Sequence, residues 1–252
     1  MEHITSRQNP LAAHIRRLGT DRAYRRAQGL FLLEGVKLLE ECAKWNGLVD
    51  TLVFAEGAVL PFTPPLADRT VTVPADLLKT LSTVESPQGV LAVCKAPSLV
   101  APEALPGSRY LVLDGMQDPG NVGTVWRTAD AFGADGLFLL PSCADPYGPK
   151  TVRATMGACF RLPVWEIELE GLSARLSAAS IPLRAAALGA DTADVRAVNW
   201  NRAAAVIGSE GRGVSARVLA ACASTVKIPM RERCESLNAA VAASVILWEM
   251  YR

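Results

Sequence analysis

The strongest constraint on the fold is a regular alternation of apolar runs and helical patterns that begins at residue 110. It predicts a strand at 110–115, a helix at 122–133 that Gly133 ends, and a strand at 136–140. Further along it predicts a short helix near 150–159, strands at 162–167, 181–187, 203–208 and 225–230, and helices at 171–180, 215–222 and 236–251. Strands that alternate with helices form a parallel sheet covered on both faces. We therefore predict an α/β domain that binds its ligands at the carboxyl ends of the strands.

A smaller α/β module precedes this domain. A helical pattern covers 34–45, and strand-like runs lie at 48–55 and 89–94. The stretch 96–107 holds three prolines and a terminal glycine with little periodicity, which is typical of an interdomain linker. The predicted division is a domain at 1–95, a linker at 96–107 and a second domain at 108–252.

Composition limits the class of protein. Apolar residues make up 50% of the chain and charged residues 20%, so a packed core is expected. The longest apolar run, 239–248, contains Ser244 and is shorter than the ~20 residues that span a bilayer. The first residues show no apolar stretch of the kind that directs secretion. We expect no membrane span and a cytoplasmic location.

Cysteine and histidine usage argues against metal and triad chemistry. No CxxC pair occurs among the cysteines, so neither a zinc ribbon nor a disulfide framework is expected, and most thiols should be reduced and buried. The histidines are His3 and His14, and a Ser-His-Asp triad or a His-ligated catalytic metal needs a histidine in the folded body. We expect no metal. The cysteines are Cys42, Cys94, Cys143, Cys159, Cys222 and Cys234.

The net charge is +1, but the first 30 residues carry six arginines against two carboxylates. Arginine forks match phosphate oxygens, so this arginine-rich start is suited to nucleic acid. A solvated helix face would give the same pattern. Both interpretations stay open from the sequence.

Three glycine- or polar-rich loops follow predicted strands. In the first, Asn121 is placed to cap the helix that follows, and Arg127 lies near the second turn of that helix. An isolated arginine there is more often a surface residue. The glycine spacing fails the GxGxxG pattern of dinucleotide folds.

The second loop, within 206–215, places three glycines around Glu210, with Ser215 predicted to cap the next helix. A plain glycine-rich turn is the alternative. The third loop leads into an apolar helix that Ser236 and Asn238 are placed to cap. That helix is typical of a core or a dimer interface.

Together the loops resemble the SpoU (TrmH-like) branch of the SPOUT methyltransferases, which transfer a methyl group from S-adenosylmethionine to a ribose 2′-hydroxyl of RNA. The resemblance covers 108–252 and continues more weakly over 4–95. The matching positions are Asn121, Gly123 and Arg127 in the first motif, Gly208, Glu210 and Gly211 in the second, and Ile228, Pro229, Met230, Ser236, Leu237 and Asn238 in the third.

The resemblance implies a fold that periodicity does not reveal. In the family the C-terminal segment threads through a loop to make a deep trefoil knot, which general topology rules treat as exceptional. The knot wraps S-adenosylmethionine, and two subunits pair as a homodimer through the catalytic domains. The region 1–95 resembles the family's ribosomal-protein-like α/β module, which binds structured RNA.

The resemblance also assigns site residues. The catalytic group implied is Arg127, Asn121, Glu210 and Asn238, and the cofactor-binding group implied is Leu188, Gly189, Gly208, Gly211, Ile228, Met230, Ser236 and Leu237. Arginine is a poor base because its pKa exceeds ~12 in proteins. Our hypothesis is that Arg127 binds the phosphate beside the target ribose and orients the 2′-hydroxyl, with or without transient deprotonation.

The leading hypothesis is an S-adenosylmethionine-dependent RNA 2′-O-ribose methyltransferase, with ribosomal RNA favoured over transfer RNA by analogy. The alternative is a noncatalytic RNA-binding protein that retains the fold. A nicotinamide-dependent oxidoreductase would fit the strand-helix alternation, but the glycine fingerprint and the acidic residue ~20 positions on are missing.

Overall fold

A computed structural model of the chain describes residues 2–189, 192–231 and 236–252. Its contacts divide the chain into two compact units. The first unit is the chain up to Pro97 together with Asp145–Arg161, and the second is Ser98–Ala144 with Leu162–Arg252. A segment from inside the predicted second domain therefore packs with the first unit. The division at 96–107 stays a prediction.

Helices and strands are numbered in chain order. The N-terminal part holds β1 (Glu2–His3), α1 (Pro10–Thr20), α2 (Arg22–Gln28), β2 (Leu30–Glu34), α3 (Val36–Lys44), β3 (Val49–Ala55), β4 (Ala67–Val73), α4 (Ala75–Leu81) and β5 (Val90–Lys95). The remainder holds β6 (Arg109–Asp114), α5 (Pro119–Phe132), β7 (Gly136–Leu139), α6 (Pro149–Thr155), β8 (Val164–Glu166), α7 (Leu169–Ala178), β9 (Leu183–Ala186), β10 (Ala193–Asp194), β11 (Ala203–Gly208), α8 (Ala216–Ala221), β12 (Ser224–Lys227) and α9 (Ala239–Tyr251).

The first unit is built on a mixed sheet with the strand order β1-β4-β3-β5-β2. β3 pairs parallel with β4 and antiparallel with β5. Inward-facing Val53 and Val93 pack with Ile15 and Leu18 of α1, and all four side chains are buried. Alternate residues of a strand share one face, so the apolar positions of β3 and β5 meet the apolar stripe of α1.

The segment Asp145–Arg161 is fixed to this unit by polar and aromatic contacts. Arg25 is 7% exposed and its guanidinium lies 2.6 Å from the Asp145 carboxylate. The rings of Phe31 and Tyr147 lie 5.0 Å apart. Because removing one partner of a buried ion pair strands the other charge, Arg25 is a structural residue here.

The other arginines of the arginine-rich start also make intramolecular contacts. Arg7 pairs with Asp76 at 2.9 Å, and Arg17 pairs with Asp21 at 3.2 Å. The Arg16 guanidinium donates to the main-chain oxygen of Arg7. The side chains of Arg7 and Arg17 stay more than half exposed in these pairs, so both interpretations of the arginine-rich start remain open.

The second unit is built on a sheet with the order β10-β12-β9-β11-β6-β7-β8, and its paired strands run parallel. The predicted α/β fold with a parallel sheet is confirmed. β11, whose residues are all buried, has the predicted bounds, and Gly133 ends α5 in the left-handed conformation. The knot stays a prediction.

The structure corrects the start of α5. The predicted cap, Asn121, lies inside the helix, whereas Asp118 caps it by accepting from the Asn121 amide at 2.8 Å. Pro119 occupies the first position, which suits a residue without an N–H. Arg127 consequently lies in the third turn rather than the second. Of the two residues predicted to cap α9, Asn238 is confirmed, whereas Ser236 lies before the cap and does not form it.

Several predicted bounds shift and several elements were not predicted. β12 ends at Lys227 instead of 230, and α9 begins at Ala239 instead of 236. Helices α1, α2 and α4 and strands β2 and β4 had no counterpart in the prediction. Within the described residues, no helix is long and apolar enough to cross a bilayer.

Candidate active site

The three motif loops leave neighbouring strands at one edge of the parallel sheet. β12, β9, β11 and β6 are consecutive in the sheet, and Gly208 at the end of β11 lies opposite Asp114 at the end of β6. Parallel strands present their carboxyl ends on the same edge. The loops after β6, β9, β11 and β12 therefore start side by side.

The loop after β11 is a tight hairpin. The main chains of Ser209 and Gly213 exchange two hydrogen bonds, of 3.1 and 2.9 Å, and leave Glu210, Gly211 and Arg212 at the tip. A Cβ on Gly208 would lie 1.9 Å from the carbonyl carbon of Gly213. Only glycine fits at Gly208, because the returning main chain passes directly over it.

This hairpin is anchored to the neighbouring strand. The Ser215 amide donates to Oδ2 of Asp114 at 2.7 Å, linking the far side of the hairpin to the end of β6. Ser215 occupies the predicted cap position of α8, but its side chain makes no capping hydrogen bond. Its backbone amide thus fixes the hairpin in place.

Three of the four predicted catalytic residues form one hydrogen-bonded chain. The Asn121 side-chain amide donates to the Glu210 carboxylate. The Asn238 side-chain amide donates to the Asn121 oxygen at 3.4 Å. The Asn238 oxygen accepts from the amides of Ala240 and Val241, so the same residue caps α9. These hydrogen bonds join all three motif loops.

Arg127 lies outside this group. It is exposed, and no described residue offers it a hydrogen bond or an ion pair. It lies six residues beyond Asn121 on α5, about 9 Å along the helix axis. Its guanidinium is therefore available to a ligand.

A cavity of about 400 Å³ opens between the loops after β9, β11 and β12. This size is within the usual range for small-molecule sites. Six of the eight predicted cofactor-binding residues line it, namely Leu188, Gly208, Ile228, Met230, Ser236 and Leu237. Gly189 does not line it, and Gly211 lines a second cavity beyond the hairpin. We call the first the donor cavity.

Sequence reasoning missed much of the apolar wall of the donor cavity. Ala186, Ala187 and Val226 close one side, and Leu219 and Ala242 close another. The run of alanines at 185–187, at the end of β9, was the available signal. An apolar slot with main-chain groups at Gly208, Ile228 and Leu237 suits a flat heteroaromatic ring.

The second cavity, of about 580 Å³, lies on the other side of the hairpin tip. It is lined by the ends of β6 and β7 and the start of α8, including Asp114, Gln117, Ser142 and Ala216. Sequence reasoning singled out none of these side chains. Glu210 and Arg212 line both cavities.

Two cysteines of the second unit have weakly acidic thiols, and the described residues hold no group of metal ligands. Burial raises the pKa of the Cys143 thiol, and that of Cys222, to about 11, so both stay protonated at neutral pH. Among residues 2–189, 192–231 and 236–252, no three His, Cys, Asp or Glu side chains are grouped to hold a metal. Cys234 lies outside the described residues.

Comparison with known proteins assigns both parts of the chain. Residues 108–248 match the model of the SpoU rRNA methylase family. Residues 3–92 match the model of the MRM3-like substrate binding domain.

Relatives of nearly the same length share this organisation. The chain is 31% identical to the 23S rRNA (guanosine(2553)-2′-O)-methyltransferase RlmP of Bacillus subtilis, covering 99% of each chain. It is 33% identical to the 23S rRNA (uridine(2479)-2′-O)-methyltransferase of Streptomyces viridochromogenes, covering 92% of this chain and 86% of that one.

A solved structure gives the same result. The crystal structure of the SpoU methyltransferase AviRb from Streptomyces viridochromogenes, in complex with the cofactor AdoMet, superposes with a TM-score of 0.87 at 30% identity. The match covers 97% of this chain and 98% of that one.

Proposed function

The chain belongs to the SpoU rRNA methylase family, and we propose that it methylates a ribose 2′-hydroxyl of ribosomal RNA with S-adenosylmethionine as the donor. The observation that carries this proposal is the hydrogen-bonded chain of Asn121, Glu210 and Asn238 beside the donor cavity. It links the three motif loops beside the cavity that we assign to the donor.

The donor cavity fits S-adenosylmethionine. At Gly208 the donor can contact the main chain directly, because glycine has no Cβ. The apolar wall of the donor cavity accepts the adenine ring. Leu188, Ile228 and Leu237 would hold the adenine and ribose, while Met230 and Ser236 border the rest of the donor. When bound, the donor supplies a methyl group already activated on a sulfonium.

The protein's task is then alignment and proton removal. In the bound complex the methyl group would pass from the sulfonium, which would become a neutral thioether, to the ribose 2′-oxygen. The hydroxyl proton would pass to a base, and the Glu210 carboxylate in the cavity lining is the candidate acceptor. Holding donor and acceptor in line removes much of the entropic part of the barrier. Glu210, fixed by Asn121, borders the donor cavity at this junction.

Arg127 acts on the acceptor. Its guanidinium is exposed and has no partner among the described residues, so it can bind the phosphate next to the target ribose. Its role is to orient the 2′-hydroxyl, because the N–H fork of a guanidinium matches the oxygens of the neighbouring phosphate.

We further propose that two copies pair through the second unit and that its C-terminal segment is knotted. Val241 and Trp248 of α9 are 49% and 57% exposed, and Trp248 packs edge-on against Phe132 of α5. Large exposed apolar side chains on one helix, beside a partly buried aromatic ring of the next helix, are typical of an interface. Sedimentation of the purified protein tests the pairing.

The RNA itself is identified by an experiment in cells. The named relatives methylate a guanosine in one case and a uridine in the other, so the target base does not follow from them. A ribose-methylation map of total RNA with and without the gene should show loss of a single 2′-O-methyl mark in ribosomal RNA. Loss of a mark in transfer RNA alone, or of none, would contradict the proposal.

A further inference from the structure

The second cavity adjoins the donor cavity across a single hairpin tip. Both cavities are lined by Ser209, Glu210, Arg212, Gly213 and Val214, so the tip is their common wall. Direct methyl transfer requires donor and acceptor to touch at one point. The edge of the tip, where Glu210 lies, is the place where an occupant of one cavity comes nearest to an occupant of the other.

We propose that this second cavity, hereafter the acceptor cavity, receives the base of the nucleotide whose ribose is methylated. Gln117 hydrogen-bonds the edge of that base, and Arg212 contacts one of the two phosphates that flank the nucleotide, the other being the one assigned to Arg127. The inference rests on the proposed ribose methylation and adds where the acceptor binds and which side chains select it.

Size and exposure support a base as the occupant. A volume of about 580 Å³ is in the range of small-molecule sites and has room for a nucleoside. RNA-modifying proteins take hold of unstacked bases by hydrogen bonds to their edges. The acceptor cavity opens at the carboxyl edge of β6 and β7, where the sheet presents its loops.

Gln117 is the side chain free to read a base edge. It is exposed, lies in the β6–α5 loop two residues before the start of α5, and no described residue hydrogen-bonds its amide. A carboxamide offers a donor and an acceptor side by side, which pairs with the adjacent donor and acceptor of a base. Ser142, held at a φ of 69°, adds a hydroxyl on the β7 side.

Charge decides which part of the nucleotide enters. Asp114 and Glu210 both line the acceptor cavity, and their carboxylates already accept hydrogen bonds from Ser215 and Asn121. Two carboxylates disfavour an anion inside, whereas they tolerate a neutral base. The phosphate therefore stays at the rim.

Arg212 is the cation at that rim. It is exposed at the hairpin tip, and the described residues give it neither a hydrogen bond nor an ion pair. Arg217, five positions on, is instead paired with Glu170. A free guanidinium beside a base-sized cavity is suited to a phosphate oxygen.

The test uses steady-state methylation of ribosomal RNA from a strain lacking the gene, together with calorimetric binding of S-adenosylmethionine. Gln117→Leu removes the polar edge, and Ala216→Trp fills the acceptor cavity from the first turn of α8. The matched control for filling is Ala220→Trp, on the same short helix and exposed but outside the cavity.

We expect Gln117→Leu to lower kcat/KM for RNA by about tenfold, the effect of one lost hydrogen bond at a specific site. Ala216→Trp should lower it by about 100-fold or more by excluding the base. Both should keep the S-adenosylmethionine Kd within about twofold, which also shows that they fold. Ala220→Trp should behave as the unmodified protein.

Arg212→Gln is compared with Arg217→Gln. The first should raise KM for RNA and reduce the salt dependence of binding by about one ion contact, and the second should change neither.

If the unmodified protein methylates RNA while Gln117→Leu and Ala216→Trp match Ala220→Trp, the acceptor cavity is not the acceptor site. If the unmodified protein transfers no methyl group to RNA, the proposed function itself has failed.

Discussion

The side-chain amide of Asn121 donates a hydrogen bond to the carboxylate of Glu210, a residue 89 positions further along the chain. Asn121 is free to do so because Asp118, and not Asn121, caps α5. The identity of one helix cap thus determines whether the first and second motif loops are joined. The contacts around these residues predict how specific variants change activity and stability.

Asn121→Asp should lower kcat by about 100-fold or more while leaving the fold intact, because it sets a second carboxylate against Glu210. Asn201→Asp, at an exposed position of the same unit, is the control and should retain full activity. Methyl transfer and thermal unfolding are measured together. An active Asn121→Asp protein would show that this contact is not used in catalysis.

Asn238 has two roles that different substitutions separate. Asn238→Asp keeps the oxygen that caps α9 but loses the donor to Asn121, so activity should fall about tenfold with little change in stability. Asn238→Ala should additionally lose about 1 kcal/mol of unfolding free energy with the cap. Equal stability losses in the two variants would contradict the separation.

Arg127→Ala should abolish methyl transfer and leave the S-adenosylmethionine Kd within about twofold, since Arg127 lies outside the donor cavity. Arg217→Ala, which removes an exposed ion pair with Glu170, serves as the control. Calorimetry and labelled-methyl transfer provide the two readouts. Residual activity near the normal level would remove Arg127 from the mechanism.

Gly208→Ala should weaken S-adenosylmethionine binding by about tenfold or more, because the new Cβ would lie 1.9 Å from the Gly213 carbonyl carbon and must displace the hairpin. Gly211→Ala is the matched control, since a Cβ there meets nothing within 4 Å. Its Kd should stay within about threefold. Similar affinities in both variants would show that the hairpin does not shape the donor cavity.

Arg25→Ala should destabilise the first unit by about 3 kcal/mol, because it leaves the Asp145 carboxylate, which is only 12% exposed, without the cation that balances its charge. Arg7→Ala breaks an exposed pair with Asp76 and should cost less than about 1 kcal/mol. Urea unfolding measures both. A small effect at Arg25 would mean that apolar contacts alone hold Asp145–Arg161 in place.

The parallel sheet of the second unit was predictable from the sequence because its strands are short apolar runs separated by clear helices. β11 was predicted to the residue, and Gly133 marked the end of α5. The start of α5 was not, since Asp118 and Asn121 are both capping residue types three positions apart. Pro119 was the signal that favours Asp118.

Other features depend on tertiary contacts that periodicity does not encode. Nothing in the local sequence of 145–161 indicates that it packs with the first unit, because its partners Arg25 and Phe31 are more than a hundred residues away. The acceptor cavity was equally hidden, since Gln117 and Ser142 line one cavity only because β6 and β7 are neighbours in the sheet. The motif residues, by contrast, were found through the family resemblance.

The most direct test of the central claim is to incubate the purified protein with ribosomal RNA from the deletion strain and methyl-labelled S-adenosylmethionine, then to digest the RNA and identify the labelled nucleoside. The account predicts label on one 2′-O-methylated nucleoside, in a linkage that resists alkaline cleavage, and none with Arg127→Ala. Label on a base, or no transfer at all, would contradict it.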